Sequence, residues 1–83
     1  LAFNYKHRKM DPMIVTLSKS ETAELVHHPG QEFNYVIEGA IKVIVDDREF
    51  TLEAGDSIYF NPEKPHGQRA VTETAKFLTV INE

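Results

Sequence analysis

The sequence predicts an all-β fold, a sandwich or small barrel, on three observations. Apolar and polar residues alternate over short runs, the pattern of strands with one face buried. Turn residues recur at close intervals, at Pro29-Gly30, Glu38-Gly39, Asp46-Asp47, Ala54-Gly55 and Asn61-Pro62. Helical periodicity is scarce. About eight strands are expected from this punctuation.

Taken in order, residues 13–18 and 22–27 flank Lys19-Ser20-Glu21 and read as a pair joined by a polar turn. His28 ends the second of them. Pro29-Gly30 then turns the chain, because proline presets the first turn torsion and glycine accepts a positive one. Residues 32–37 run back until Glu38-Gly39-Ala40 breaks the strand. Residues 41–45 and 49–52 form a hairpin around Asp46-Asp47-Arg48, with Phe50 and Leu52 on the dry face and Glu49, Thr51 and Glu53 on the wet one. Ala54-Gly55-Asp56 leads into residues 57–60. Gly39 and Gly55 are expected to relieve tight turns, and the Asp56 side chain to cap one. The Asn61 to Pro65 loop carries two prolines that bar it from a central strand, and His66 emerges directly from it. Residues 68–71 and 76–81 supply the last strands, across Thr72-Glu73-Thr74. Closure into a jelly roll protects the edges that so many strands would expose. Phe50, Tyr59, Phe60, Phe77 and Leu78 are expected in the core. Phe33, Tyr35 and Ile37 are expected to face a second layer or subunit.

With 83 residues the chain fits one domain, residues 1–83, in which 1–10 form a lead-in or edge strand. A hydrophobic content of 41% beside 27% charged residues is ordinary for a soluble protein. So short a chain buries a modest share of its surface, so self-association as a homodimer is expected. There is no cysteine, hence no disulfide framework and no thiolate ligand or nucleophile, with a lean towards the cytoplasm. A net charge of -4 argues against nucleic-acid binding by this piece, and the basic run Lys6-His7-Arg8-Lys9 reads as a solvated face or hinge. No apolar stretch approaches the roughly 20 residues that cross a bilayer, so no membrane partner is expected. Neither a phosphate-binding glycine loop nor a nucleophile elbow is present, which makes triad hydrolysis a poor reading.

The chemistry gathers at His28, Glu32 and His66. Two imidazoles and a carboxylate, with positions left open, suit a divalent transition metal such as zinc, iron, manganese or nickel. This requires a fold that returns His66 to His28. Strand alternation places Asn34 with Glu32 and Gln68 with His66, so both amides border the same hollow, and Val26 and Val36 supply its apolar wall. His27 is expected on the opposite face, as an exposed strand residue. The competing reading makes His28, Glu32 and His66 polar lining without a metal, or pairs Glu32 with Lys64 or Arg69 at the surface, where an ion pair contributes little.

Glu32-Phe-Asn-Tyr-Val-Ile-Glu-Gly39, then Leu52-Glu-Ala-Gly-Asp-Ser-Ile-Tyr-Phe60 and Pro65-His66, resemble the two motif regions of the cupin family across residues 22–82. The resemblance implies a small cupin-type jelly-roll β-barrel. It carries the family's second histidine onto His28, its glutamate onto Glu32 and its last histidine onto His66. The first family histidine falls at Val26, and Ala70 stands where an asparagine often follows. Lys9 to Leu17, His28 to Val36 and Gly55 to Phe60 further resemble the C-terminal cupin domain of helix-turn-helix transcriptional regulators of the XRE type.

That likeness implies a small-molecule-sensing and dimerisation domain, with DNA bound only through an N-terminal module outside this chain. No enzyme activity is then required. The alternative is a minimal metal-dependent cupin enzyme of isomerase or dioxygenase type, in which His27 is the spare histidine. A third is a structural dimerisation unit with an inert pocket.

Overall fold

Seven antiparallel strands and no helix make up the described residues, 10–82, of the computed structural model. They are β1 (Met10–Ser18), β2 (Gln31–Glu38), β3 (Ala40–Val45), β4 (Arg48–Glu53), β5 (Ser57–Phe60), β6 (His66–Ala70) and β7 (Thr74–Asn82). Of the expected lead-in, only Met10 is described, where it opens β1. The basic run at Lys6 to Lys9 lies outside the described residues.

Two sheets face each other, one in the order β1-β7-β2-β5 and one in the order β4-β3-β6. Strands β2, β3 and β7 bury alternate residues, as the polar and apolar pattern dictates. Glu32, Asn34 and Val36 of β2 point inward, as do Ala75, Phe77 and Thr79 of β7 and Ile41 and Val43 of β3. Val36, Ile41, Val43, Leu52, Ala70, Ala75 and Phe77 form the core between the sheets, with Val15, Leu17, Val45, Ile58 and Phe60 packed around it. The outer face of the larger sheet is apolar and open: Tyr59, Phe33 and Val80 lie side by side across β5, β2 and β7. Tyr59 is therefore not core, as expected, but 63% exposed. Its odd position in a four-residue edge strand turns it outward from Ile58 and Phe60.

The expected pairing of residues 13–18 with 22–27 does not form. β1 pairs along its whole length with β7, from Met10 opposite Asn82 to Ser18 opposite Thr74. Residues 22–27 instead lie along the β6 edge of the smaller sheet, in a crossing segment that leaves the larger sheet after β1 and returns to it at β2, and they bridge β6 once, Val26 to His66. Alternation in this segment is real, but hydrogen-bond partners are chosen by tertiary neighbours, and a nine-residue antiparallel ladder with β7 outcompetes a local hairpin. Seven strands rather than eight result.

The expected turns are present with their reasons visible. Gly39 has φ +74°, and a Cβ there would come within 2.5 Å of the Thr74 carbonyl oxygen. Gly55 has φ +94°, and Asp56 Oδ2 accepts from the Glu53 backbone N–H at 2.9 Å. Gly67 serves a different need. A side chain there would strike the Glu24 carbonyl oxygen at 2.5 Å, so glycine lets the crossing segment lie against β6.

Candidate metal centre

His28, Glu32 and His66 arrive from three separate pieces of chain. Glu32 lies on β2 and faces inward by alternation. His66 opens β6, directly after the proline-stiffened loop. His28 sits on the crossing segment, which is stitched down at both ends of this stretch. Val26 N donates to the His66 carbonyl at 2.8 Å and His66 N to the Val26 carbonyl at 2.9 Å, while His28 N donates to the Pro62 carbonyl at 3.0 Å. The return of His66 to His28 is thus made by backbone hydrogen bonds.

The side chains then converge on one point. Glu32 Oε1 lies 3.0 Å from His28 Nε2 and 3.2 Å from His66 Nε2, and one donor atom from each residue falls within 4.8 Å of the others. Ligand atoms about 2.1 Å from a metal and at right angles to one another lie about 3.0 Å apart, so the two distances from Glu32 suit a carboxylate oxygen beside each imidazole in a coordination sphere. Both ring orientations fit as well. His66 Nδ1 is 2.9 Å from the Lys64 carbonyl oxygen and His28 Nδ1 is 3.1 Å from that of Pro29. A carbonyl only accepts, so each Nδ1 carries the hydrogen, and in the neutral ring each Nε2 is left with a lone pair to offer beside Glu32 Oε1. In that state three electron-rich atoms meet at one point, an arrangement that a cation between them, proton or metal, relieves. The donor set therefore fits a divalent metal, with the two histidines held by their other nitrogens in the manner of metal-ligating imidazoles.

Glu32 itself is fixed through its other oxygen. Oε2 accepts from Asn34 Nδ2 at 3.1 Å, Gln68 Nε2 at 3.1 Å and Thr79 Oγ1 at 3.2 Å. Asn34 also donates to Thr79 Oγ1 at 2.9 Å and accepts from Gln68 at 2.8 Å. With Glu32, Asn34, His66 and Thr79 all buried, this network keeps the carboxylate aimed while sparing Oε1 for coordination. Two aromatic edges brace the histidines: the His28 and His66 rings meet at 5.0 Å and 79°, and Phe60 packs on His66 at 5.1 Å.

The open side of the triad faces a cavity of about 250 Å³ walled by Val15, Leu17, Val26, Phe77 and Ile81, with Gln68 and Thr79 at its polar end. Of the residues the sequence placed around this hollow, Val26, His28, Glu32, His66 and Gln68 line it. Asn34 stands behind Glu32, and Val36 packs in the core. Glu32 has no contact with Lys64 or Arg69; Arg69 Nη1 donates to the Ser20 carbonyl instead. His27 is exposed, on an irregular segment rather than a strand. Sequence reading overlooked Thr79, although a threonine between Phe77 and Ile81 on one face of a strand was the available signal.

The family model described as "Cupin domain" matches residues 13–81. This chain belongs to the cupin family. A helix-turn-helix (HTH_3 family) transcriptional regulator from Vibrio cholerae superimposes with a TM-score of 0.80 at 28% identity, over 89% of this chain and 43% of that one. Hydroxypropylphosphonic acid epoxidase from S. wedmorenis, in complex with fosfomycin, has a TM-score of 0.80 at 28% identity over 87% and 43%. Iron(II) HppE in complex with substrate matches with a TM-score of 0.80 at 28% identity over 87% and 45%. Uncharacterized protein MJ1618 of Methanocaldococcus jannaschii is 34% identical over 47 residues, which are 57% of this chain and 38% of that protein. This cupin chain thus spans less than half the length of the relatives it matches. Against the cupin pattern of four ligands, Val26 replaces the first histidine with an apolar wall, leaving a triad that is more open on the cavity side.

Proposed function

We propose that this cupin is a sensor domain that holds a divalent metal (zinc, iron, manganese or nickel) on His28, Glu32 and His66 and binds a small molecule against it. The observation that carries this reading is the convergence of three donor atoms on one point beside a largely apolar cavity. The cavity's other polar groups, Gln68 and Thr79, already bond to Glu32. Among the described residues of its lining, the titratable side chains are the three ligands themselves. Each is committed to the metal in this reading, which supports binding over acid–base catalysis. The metal would supply a Lewis-acid anchor for an oxygen-bearing ligand, while Val15, Val26, Phe77 and Ile81 exclude water around the ligand's apolar part.

Likeness to the Vibrio cholerae regulator supports a place in a cytoplasmic helix-turn-helix protein whose DNA-binding module is supplied from outside this chain. The open apolar outer face of the larger sheet supports homodimer formation, so that ligand binding is passed on as altered dimer geometry. A ligand shifts that equilibrium only by the difference in its affinity for the two states. No helix among the described residues is long and apolar enough to cross a membrane. A second reading, a metal-dependent enzyme of oxygen chemistry, is favoured by the likeness to iron(II) HppE and needs no protein base.

Metal analysis of protein purified without added metal, alongside His66→Ala, tests the site: a stoichiometric metal that the variant loses is expected. Metal-dependent DNA affinity in the full-length protein supports the sensor. Oxygen consumption by the metal-loaded chain without any effect on DNA binding favours the enzyme. A metal content unchanged by His66→Ala overturns both.

A further inference from the structure

The sandwich is open along one side, away from the metal centre's cavity. β4 is the edge of the smaller sheet and β5 the edge of the larger, and neither pairs with the other. Between them lies a crevice of about 440 Å³ with Val45, Phe50, Leu52, Ile58 and Phe60 as its apolar wall and Arg48, Ser57 and Tyr59 as its polar groups. This falls within the range of small-molecule sites, about 300–1,000 Å³.

Its charge, among the described residues, comes from Arg48 alone. Arg48 shares a strand face with Phe50 and Leu52 because residues two apart point the same way, so a guanidinium is delivered to the end of an apolar slot. It lies 5.4 Å over the Phe50 ring. Among the described residues no carboxylate stands within ion-pair distance of it. In a chain of net charge -4, this is a local cation beside an apolar surface, without an acid in the lining.

We propose that the β4–β5 crevice is a second binding site, for an aliphatic carboxylate whose acid group sits on Arg48 and whose chain lies between Phe50, Leu52 and Ile58. Charge complementarity selects the anion, because a charge-assisted hydrogen bond to a guanidinium is roughly twice as strong as a neutral one. The apolar walls select the chain. The site also touches the back of the metal centre: Phe60 packs on His66, and Val45 is the residue opposite His66 across β3 and β6. An occupant that displaces either residue moves a metal ligand without entering the metal cavity.

The test is heteronuclear NMR with octanoate added to the chain in EDTA, so that the outcome does not depend on the metal reading. Saturable shifts are expected at Val45, Leu52 and Ile58, with movement of the His66 ring signals. Arg48→Gln should weaken binding about ten-fold, and 1-octanol should bind the native chain about ten-fold more weakly than octanoate. Equal affinity in Arg48→Gln overturns the proposal and leaves Arg48 as an inward charge that guards a strand edge. Shifts confined to Val15, Val26 and Ile81 overturn it too, since octanoate would then be occupying the metal cavity.

Discussion

Replacing Glu32 with glutamine is expected to abolish metal binding and yet stabilise the metal-free protein. In the native side chain Oε2 accepts three hydrogen bonds while Oε1 faces two imidazole lone pairs at 3.0 and 3.2 Å. A glutamine of the same shape can keep its oxygen at the three-donor position and turn its amide nitrogen towards the histidines. That nitrogen has two hydrogens for two lone pairs. Two new hydrogen bonds at about 1 kcal/mol each are offset in part by weaker bonds from Asn34, Gln68 and Thr79 to a neutral oxygen. With both imidazoles neutral, the substitution also removes a buried charge that has no ion partner, which works in the stabilising direction. The balance is about 1 kcal/mol in favour of the variant, a rise in Tm of about 5 °C for a domain of this size. Metal affinity moves the other way. Loss of an outer partner of a metal ligand costs about 10–100-fold, so loss of the ligand itself should exceed 100-fold. Melting curves in EDTA, paired with calorimetric titration of manganese or zinc, read both effects. A variant that melts below the native protein in EDTA and still binds metal as tightly would show that the three atoms do not meet as described.

Two further outcomes follow from the same geometry. Val26→His introduces an imidazole on the cavity wall beside His66 and should raise metal affinity about ten-fold or more, measured by competition with a chelating dye. An unchanged affinity would place residue 26 out of reach of the metal. Gly67→Ala puts a Cβ 2.5 Å from the Glu24 carbonyl oxygen; the crossing segment must move, at about 2 kcal/mol and a fall in Tm of about 10 °C. Because that segment carries His28, metal affinity should fall with it, whereas an alanine variant with native Tm would show that the approach at Gly67 is not close.

Much of this protein is legible in its residues alone. The two-residue period of Glu32, Asn34 and Val36 sets what faces inward on β2, because a strand side chain has only two directions to choose from. The glycines at 39 and 55 mark positive torsions for a similarly local reason. Motif order named the three metal-ligating candidates, and their residue types named the chemistry. Other features are decided by neighbours distant in sequence. The partner of β1 is β7, more than fifty residues away, and nothing in residues 22–27 distinguishes a strand from a segment that crosses between sheets. Thr79 joins Glu32 only because β7 lies beside β2 in register. Tyr59 stays 63% exposed because the face it shares with Phe33 and Val80 is the outer one of the larger sheet. Local torsions and alternation follow from each residue's own sterics and polarity. Pairing, register and the meeting of His66 with His28 are set by which surfaces bury best together, and that competition is settled only when the whole chain is packed.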